Sequence, residues 1–124
     1  MTEPTVPLTA VDDLASQVAV APESTVSRTV LRAEGARVVL FAFDAGQELS
    51  EHTAAVPVLL SVLDGALDVA AAGRTVRLVP GGLLHLATRT PHTVVALGPT
   101  RMVLTMLDPR AHSPAADGAA EPSS

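Results

Sequence analysis

The sequence predicts a small all-β domain, a barrel or sandwich of short strands. From Thr25 onward, β-branched and other apolar residues fall in short runs broken by Gly, Pro and Asp. These breaks recur roughly every 8–12 residues, which suits hairpin-linked strands and leaves no room for helices between parallel ones. In Thr75-Val76-Arg77-Leu78, polar and apolar residues alternate, the pattern of a strand with one face buried.

Taken in order, Met1 to Pro7 is polar and holds two prolines. Thr9 is placed to cap a short helix over about Ala10 to Val18, with Asp12 and Asp13 in its first turn, and Pro22 ends it. Strands are then expected at Val26 to Arg32 and Arg37 to Phe43, separated by a turn at Glu34-Gly35 and closed by Asp44-Ala45-Gly46. His52 begins or adjoins a further strand. Val58 to Leu63 runs into Asp64-Gly65, and Leu67 to Ala70 into a turn over Ala71 to Gly73. Thr75 to Val79, Leu83 to Ala87, His92 to Leu97 and Arg101 to Leu107 complete the set. Val38 to Phe43 is apolar on both faces, so it belongs in a central sheet position or beneath a second subunit, and a homodimer is expected. From about Pro109 to Ser124 there are too few large apolar groups to offset the entropy of ordering, which predicts a disordered tail containing His112. The organisation is thus an N-terminal segment (1–24), a barrel (25–108) and a tail (109–124).

Composition narrows the function. The 124 residues suit one domain, and a hydrophobic content of 48% allows a real core. Aromatic residues make up 2%, namely Phe41 and Phe43, which argues against a site that stacks a flat substrate on several rings. Without cysteine there is neither a disulfide scaffold nor a thiolate metal site. The eight basic residues, all Arg, are outnumbered by 13 acidic ones, and the net charge of -5 argues against nucleic acid as a partner. Met1 to Val20 lacks a basic start followed by an apolar run, and no stretch approaches the roughly 18 apolar residues of a membrane span. A cytoplasmic protein without membrane attachment is expected.

Two spaced motifs carry the candidate site. Gly46-Gln47-Glu48-Leu49-Ser50-Glu51-His52-Thr53, followed by Val62-Leu63-Asp64-Gly65, resembles the first cupin motif. That motif reads Gly, five residues, His, one residue, His, three or four residues, Glu, six residues, Gly. Gly46, His52 and Gly65 occupy their places, while Ala54 stands in the second His slot and Val58 in the Glu slot. The second motif reads Gly, five residues, Pro, one residue, Gly, two residues, His, three residues, Asn. Gly81 and His92 match it, Thr90-Pro91-His92 resembles its approach to the last ligand, and Ala87, Arg89 and Ala96 replace the Pro, second Gly and Asn. The short spacing from Gly65 to Gly81 and the ending Met102 to Leu107 are similar to those of compact bacterial cupins. The resemblance covers about Thr25 to Leu107 and implies an all-β, cupin-type jelly-roll barrel.

It also implies a divalent metal held by three His and one Glu inside the barrel, of which only His52 and His92 remain. Two imidazoles fall short of the three protein ligands of catalytic zinc, or of the two His and a carboxylate of non-haem iron. If the segment is extended, residues two apart share a face, so Glu48 lies on the side of His52 and Glu51 on the other. Glu48 and His85 are therefore the candidates to complete a site for Mn, Fe, Ni or Zn. Each also has a plain structural reading: Glu48 and Glu51 as solvated charges, His85 as a core or interface residue. Arg89, near the barrel mouth, could meet a carboxylate or simply face solvent. By ligand count the sequence favours a barrel that binds a small molecule through a pocket with His52, His92 and Arg89, and no complete metal site. The alternative is a metal-dependent oxygenase or isomerase using His52 and His92, or an acid–base enzyme using either imidazole without metal.

Overall fold

A computed structural model describes residues 6–113. Nine strands form: β1 Thr25–Ala33, β2 Ala36–Phe43, β3 Glu48–His52, β4 Val58–Asp64, β5 Leu67–Ala71, β6 Arg74–Leu78, β7 Leu83–Leu86, β8 His92–Ala96 and β9 Thr100–Met106. Each strand expected from the turn signals is present with ends shifted by a residue or two, and His52 closes its strand. The one marked departure lies before them. The expected helix contracts to a single 3-10 turn at Ala15–Gln17, whose start has no side-chain cap. Ala10 to Val18 lacks an amphipathic repeat, so packing against the sheet shapes it more than helix propensity does.

The strands make two antiparallel sheets, β1-β2-β9-β4-β7 and β3-β8-β5-β6. Setting β1 aside as an added edge strand, the order β2-β9-β4-β7 facing β3-β8-β5-β6 is a jelly roll of two interleaved Greek keys. The core between the sheets comes from alternate residues of both: Phe43, Val58, Leu60 and Met102 from one, Leu67, Val69, Val94 and Ala96 from the other. On β2 the inward set is Val39, Phe41 and Phe43. The outward residues Leu40 and Ala42 are also buried, since Leu14, Val18 and Val20 of the N-terminal segment pack with them and with Val103. The chain's own N-terminal segment thus covers β2, which also takes the central sheet position that its two apolar faces suggested, between β1 and β9. Arg101 ties this segment down: its Nε donates to Val18 O (2.9 Å) and its Nη1 to Asp64 Oδ2 (2.8 Å).

Two turns hold one end of the barrel together. Thr100 is fully buried. Its Oγ1 accepts from Ala66 N (3.2 Å) and lies against the carbonyls of Gly98 (2.8 Å) and Ala66 (3.2 Å), so one hydroxyl joins the β4–β5 and β8–β9 turns. Gly65 passes so close to Thr100 that no side chain fits there, and its φ of +90 lies where L residues are strained. After β9, a turn brings Ala111 O to Gly35 N (3.0 Å). The rest of the expected disordered tail, from residue 114 on, lies outside the described residues.

Candidate functional site

The end of the barrel opposite that turn pair carries the site. The last residues of β3 and β9 and the first of β2, β4 and β8 meet there, around a cavity of about 370 Å³. Val39, Phe41, Ala54, Val58, Leu104 and Met106 give it an apolar lining; His52, His92, Thr53, Ser27 and Arg37 give it polar groups. The volume lies near the lower end of the ~300–1,000 Å³ common for small-molecule sites.

His52 and His92 are cross-strand partners in the β3–β8 ladder. Their ring centroids are 4.2 Å apart and tilted by 57°. His92 is buried and His52 opens to solvent at the mouth. The rings do not bond to each other. His52 Nδ1 lies 2.7 Å from Ser50 O, and His92 Nδ1 lies 2.9 Å from Thr90 O. A carbonyl only accepts, so each Nδ1 carries a proton, and in the neutral form of either ring the lone pair lies on Nε2.

A bulge decides which residues accompany them. Glu48 pairs with Val95 and Leu49 with Val94, but then His52 pairs with His92, so β3 spends one extra residue between Leu49 and His52. An extra residue reverses the parity of everything before it. Leu49 therefore shares the inner face with His52, and Glu48 is exposed on the outer face beside Val95. This corrects the expectation for Glu48, which assumed an unbroken extended segment. Glu51 is also outside, lining a shallower depression of about 490 Å³ with Arg74, Thr75 and Pro91. His85 pairs with Leu59 on the outward side of β4 and is exposed, so it is neither a core residue nor near the cavity. His112 is exposed, its Nδ1 2.9 Å from Arg110 O.

Arg89 does not line the cavity. Its side chain is exposed, while its backbone N–H donates to Ala54 O (2.8 Å), joining the loop before β8 to the loop after β3. Its φ is +58, the left-handed region that favours glycine. The motif has glycine at this position, so the backbone keeps the conformation although the residue has changed.

Positions 52, 54, 58 and 92, where the motif places its four ligands, all open on one cavity and hold His, Ala, Val and His. No family model and no curated protein matches the chain. Solved structures do. A cupin superfamily protein from Desulfitobacterium hafniense superposes with a TM-score of 0.73 at 20% identity, over 87% of this chain and 99% of that one. An RmlC-like cupin from Desulfovibrio desulfuricans gives 0.70 at 25% identity, over 81% and 96%. The fold is that of a small cupin domain. KdgF from a Halomonas species is similar as well, with a TM-score of 0.61 at 26% identity, over 71% of this chain and 82% of that one.

Measured against the cupin motif, the centre of this barrel is depleted. The donor set does not fit a resident metal ion, because two Nε2 atoms fall one protein ligand short of the zinc or iron sets. Among the described residues, no group of three His, Asp or Glu gathers that could complete it. Arg37 is the residue that sequence reading passed over. It occupies the inward phase of β2, two residues before Val39 and four before Phe41, and the wish to bury Phe41 and Phe43 was the signal that could have found it. Among the described residues there is no helix long and apolar enough to cross a membrane.

Proposed function

We propose that this cupin binds a small, largely apolar molecule in the cavity of His52 and His92, without a complete metal site. The observation that carries this reading is the replacement of two ligand positions by Ala54 and Val58, which turns the centre of the barrel into an apolar surface with two acceptor nitrogens at its edge. Such a lining, with a few polar groups to orient the occupant, is the usual make-up of a small-molecule pocket. The test is titration with a neutral probe, hexan-1-ol, followed by NMR of the imidazole and methionine methyl signals. Saturable shifts at His52, His92 and Met106, with His85, His112 and the enclosed Met102 unmoved, are expected. Signals at the cavity that stay fixed, or that drift without saturation, would sink the proposal.

A metal-dependent enzyme is the second reading, and one observation favours it. Both Nδ1–H groups are engaged by backbone carbonyls, the arrangement that orients metal-binding histidines. Its measurement is the metal content of protein prepared without chelator, beside the His52→Ala/His92→Ala double variant. Near-stoichiometric metal in the parent, lost in the variant, would make the enzyme reading the leading one. Parent protein that stays metal-free after incubation with Mn, Fe, Ni and Zn would leave the binding protein.

A further inference from the structure

We infer that the occupant of the cavity is an organic acid whose carboxylate is held by Arg37, an assignment that rests on the small-molecule reading above. Arg37 is half-buried at the start of β2 with its side chain on the cavity wall. Its one hydrogen-bond partner among the described residues is Met106 Sδ at 3.2 Å. A thioether is a weak acceptor, and a guanidinium offers five N–H donors, so most of the donating capacity of Arg37 is unspent. Among the described residues, none that lines the cavity carries a carboxylate. Across β1–β2 the residue in register with Arg37 is Arg32, so no acid faces it from that strand either. A cation half-removed from water beside an apolar lining favours an anionic partner, and a planar fork of N–H groups matches the two oxygens of a carboxylate.

The remaining polar groups extend the specification. Ser27 adds a hydroxyl on the same sheet as Arg37, and His52 and His92 present Nε2 acceptors from the facing sheet. The occupant therefore has a carboxylate at one end, an apolar body against Val39, Phe41, Val58 and Leu104, and a hydroxyl or N–H donor for the imidazoles. Among the described residues a single guanidinium lines the cavity and no helix N-terminus supports it, which suits a carboxylate better than a phosphate ester.

Hexanoate, hexanamide, hexan-1-ol and ω-hydroxyhexanoate, titrated into the parent, Arg37→Gln and Arg37→Lys proteins with the same NMR signals, test this. Hexanoate should bind the parent about 10- to 100-fold more tightly than the neutral amide or alcohol, the range of a charge-assisted pair. Arg37→Gln should abolish that preference, with an unchanged circular dichroism spectrum and a cooperative thermal transition showing that the variant is folded, and Arg37→Lys should keep part of it. The ω-hydroxyl should tighten binding further and enlarge the His52 and His92 shifts. Equal affinity for hexanoate and hexan-1-ol, or a hexanoate affinity that survives Arg37→Gln, would overturn the role of Arg37 and leave the small-molecule reading intact. Failure of every probe at the cavity would remove both.

Discussion

The tightest place in the fold supplies the sharpest stability test. Replacing Gly65 by Ala puts a Cβ against Thr100 Oγ1, 2.5 Å from Pro99 O and 2.7 Å from Thr100 Cα. Two of these three are backbone atoms, and the hydroxyl is already held between two turns, so no rotamer change relieves the contact. Gly73 provides the matched control: its φ of +76 is also left-handed, but an added Cβ there meets nothing within 4 Å. Both substitutions carry the conformational cost of about 1–2 kcal/mol for an L residue in that region. Only Gly65→Ala adds the cost of overpacking, about 1–3 kcal/mol. Thermal unfolding followed by circular dichroism should therefore put the Tm of Gly65→Ala below that of Gly73→Ala by roughly 4–12 °C for a domain of this size. Equal Tm values would refute the reasoning, because they would mean that the Gly65–Thr100 approach relaxes freely.

Arg89→Gly should raise stability by up to about 1 kcal/mol, since glycine accepts the φ of +58 without strain and the N–H bond to Ala54 O is retained. Chemical denaturation measures this, and hexanoate affinity should not change; a loss of affinity would restore Arg89 to the pocket. Asp44 accepts N–H bonds first from Glu23 (2.7 Å) and then from Ala45 (2.9 Å), which hold its carboxyl below the usual aspartate range. A carboxyl with a lowered folded-state pKa contributes stability above its unfolded value and loses it as pH falls through the folded value. The stability gap between the parent and Asp44→Asn should thus be full near neutrality and shrink below about pH 4; a gap independent of pH would show that the two N–H bonds do not favour the ionised form.

The strands were legible because their signal is local. Glu34-Gly35, Asp44-Ala45-Gly46, Asp64-Gly65 and Ala72-Gly73 each stop a strand through residues that tolerate a turn. Their spacing alone limits the chain to short antiparallel pieces. The N-terminal segment was misread as a longer helix because what shapes it is not local. Leu14, Val18 and Val20 find their partners in Leu40, Ala42 and Val103, and Arg101 reaches back 83 positions to Val18 O. Nothing within residues 10–18 announces contacts made that far along the chain.

For the site, legibility failed at a single residue of register. Spacing correctly brought His52 and His92 together, since each motif fixes its own histidine and β3–β8 pairing does the rest. The same spacing, carried back through an unbroken strand, delivered Glu48 to the inner face. The structure denies it by inserting one residue between Leu49 and His52, which turns Leu49 inward and both Glu48 and Glu51 outward. An extended segment without the bulge would bury Glu48 and expose Leu49, so the hydrophobic preference of Leu49 and the solvation of Glu48 both favour the bulged register. That choice has a chemical result. It keeps Glu48 and Glu51 out of the cavity, leaving Arg37 without a carboxylate partner among the described residues, and so the proposed ligand brings the negative charge that a metal-site glutamate would have brought.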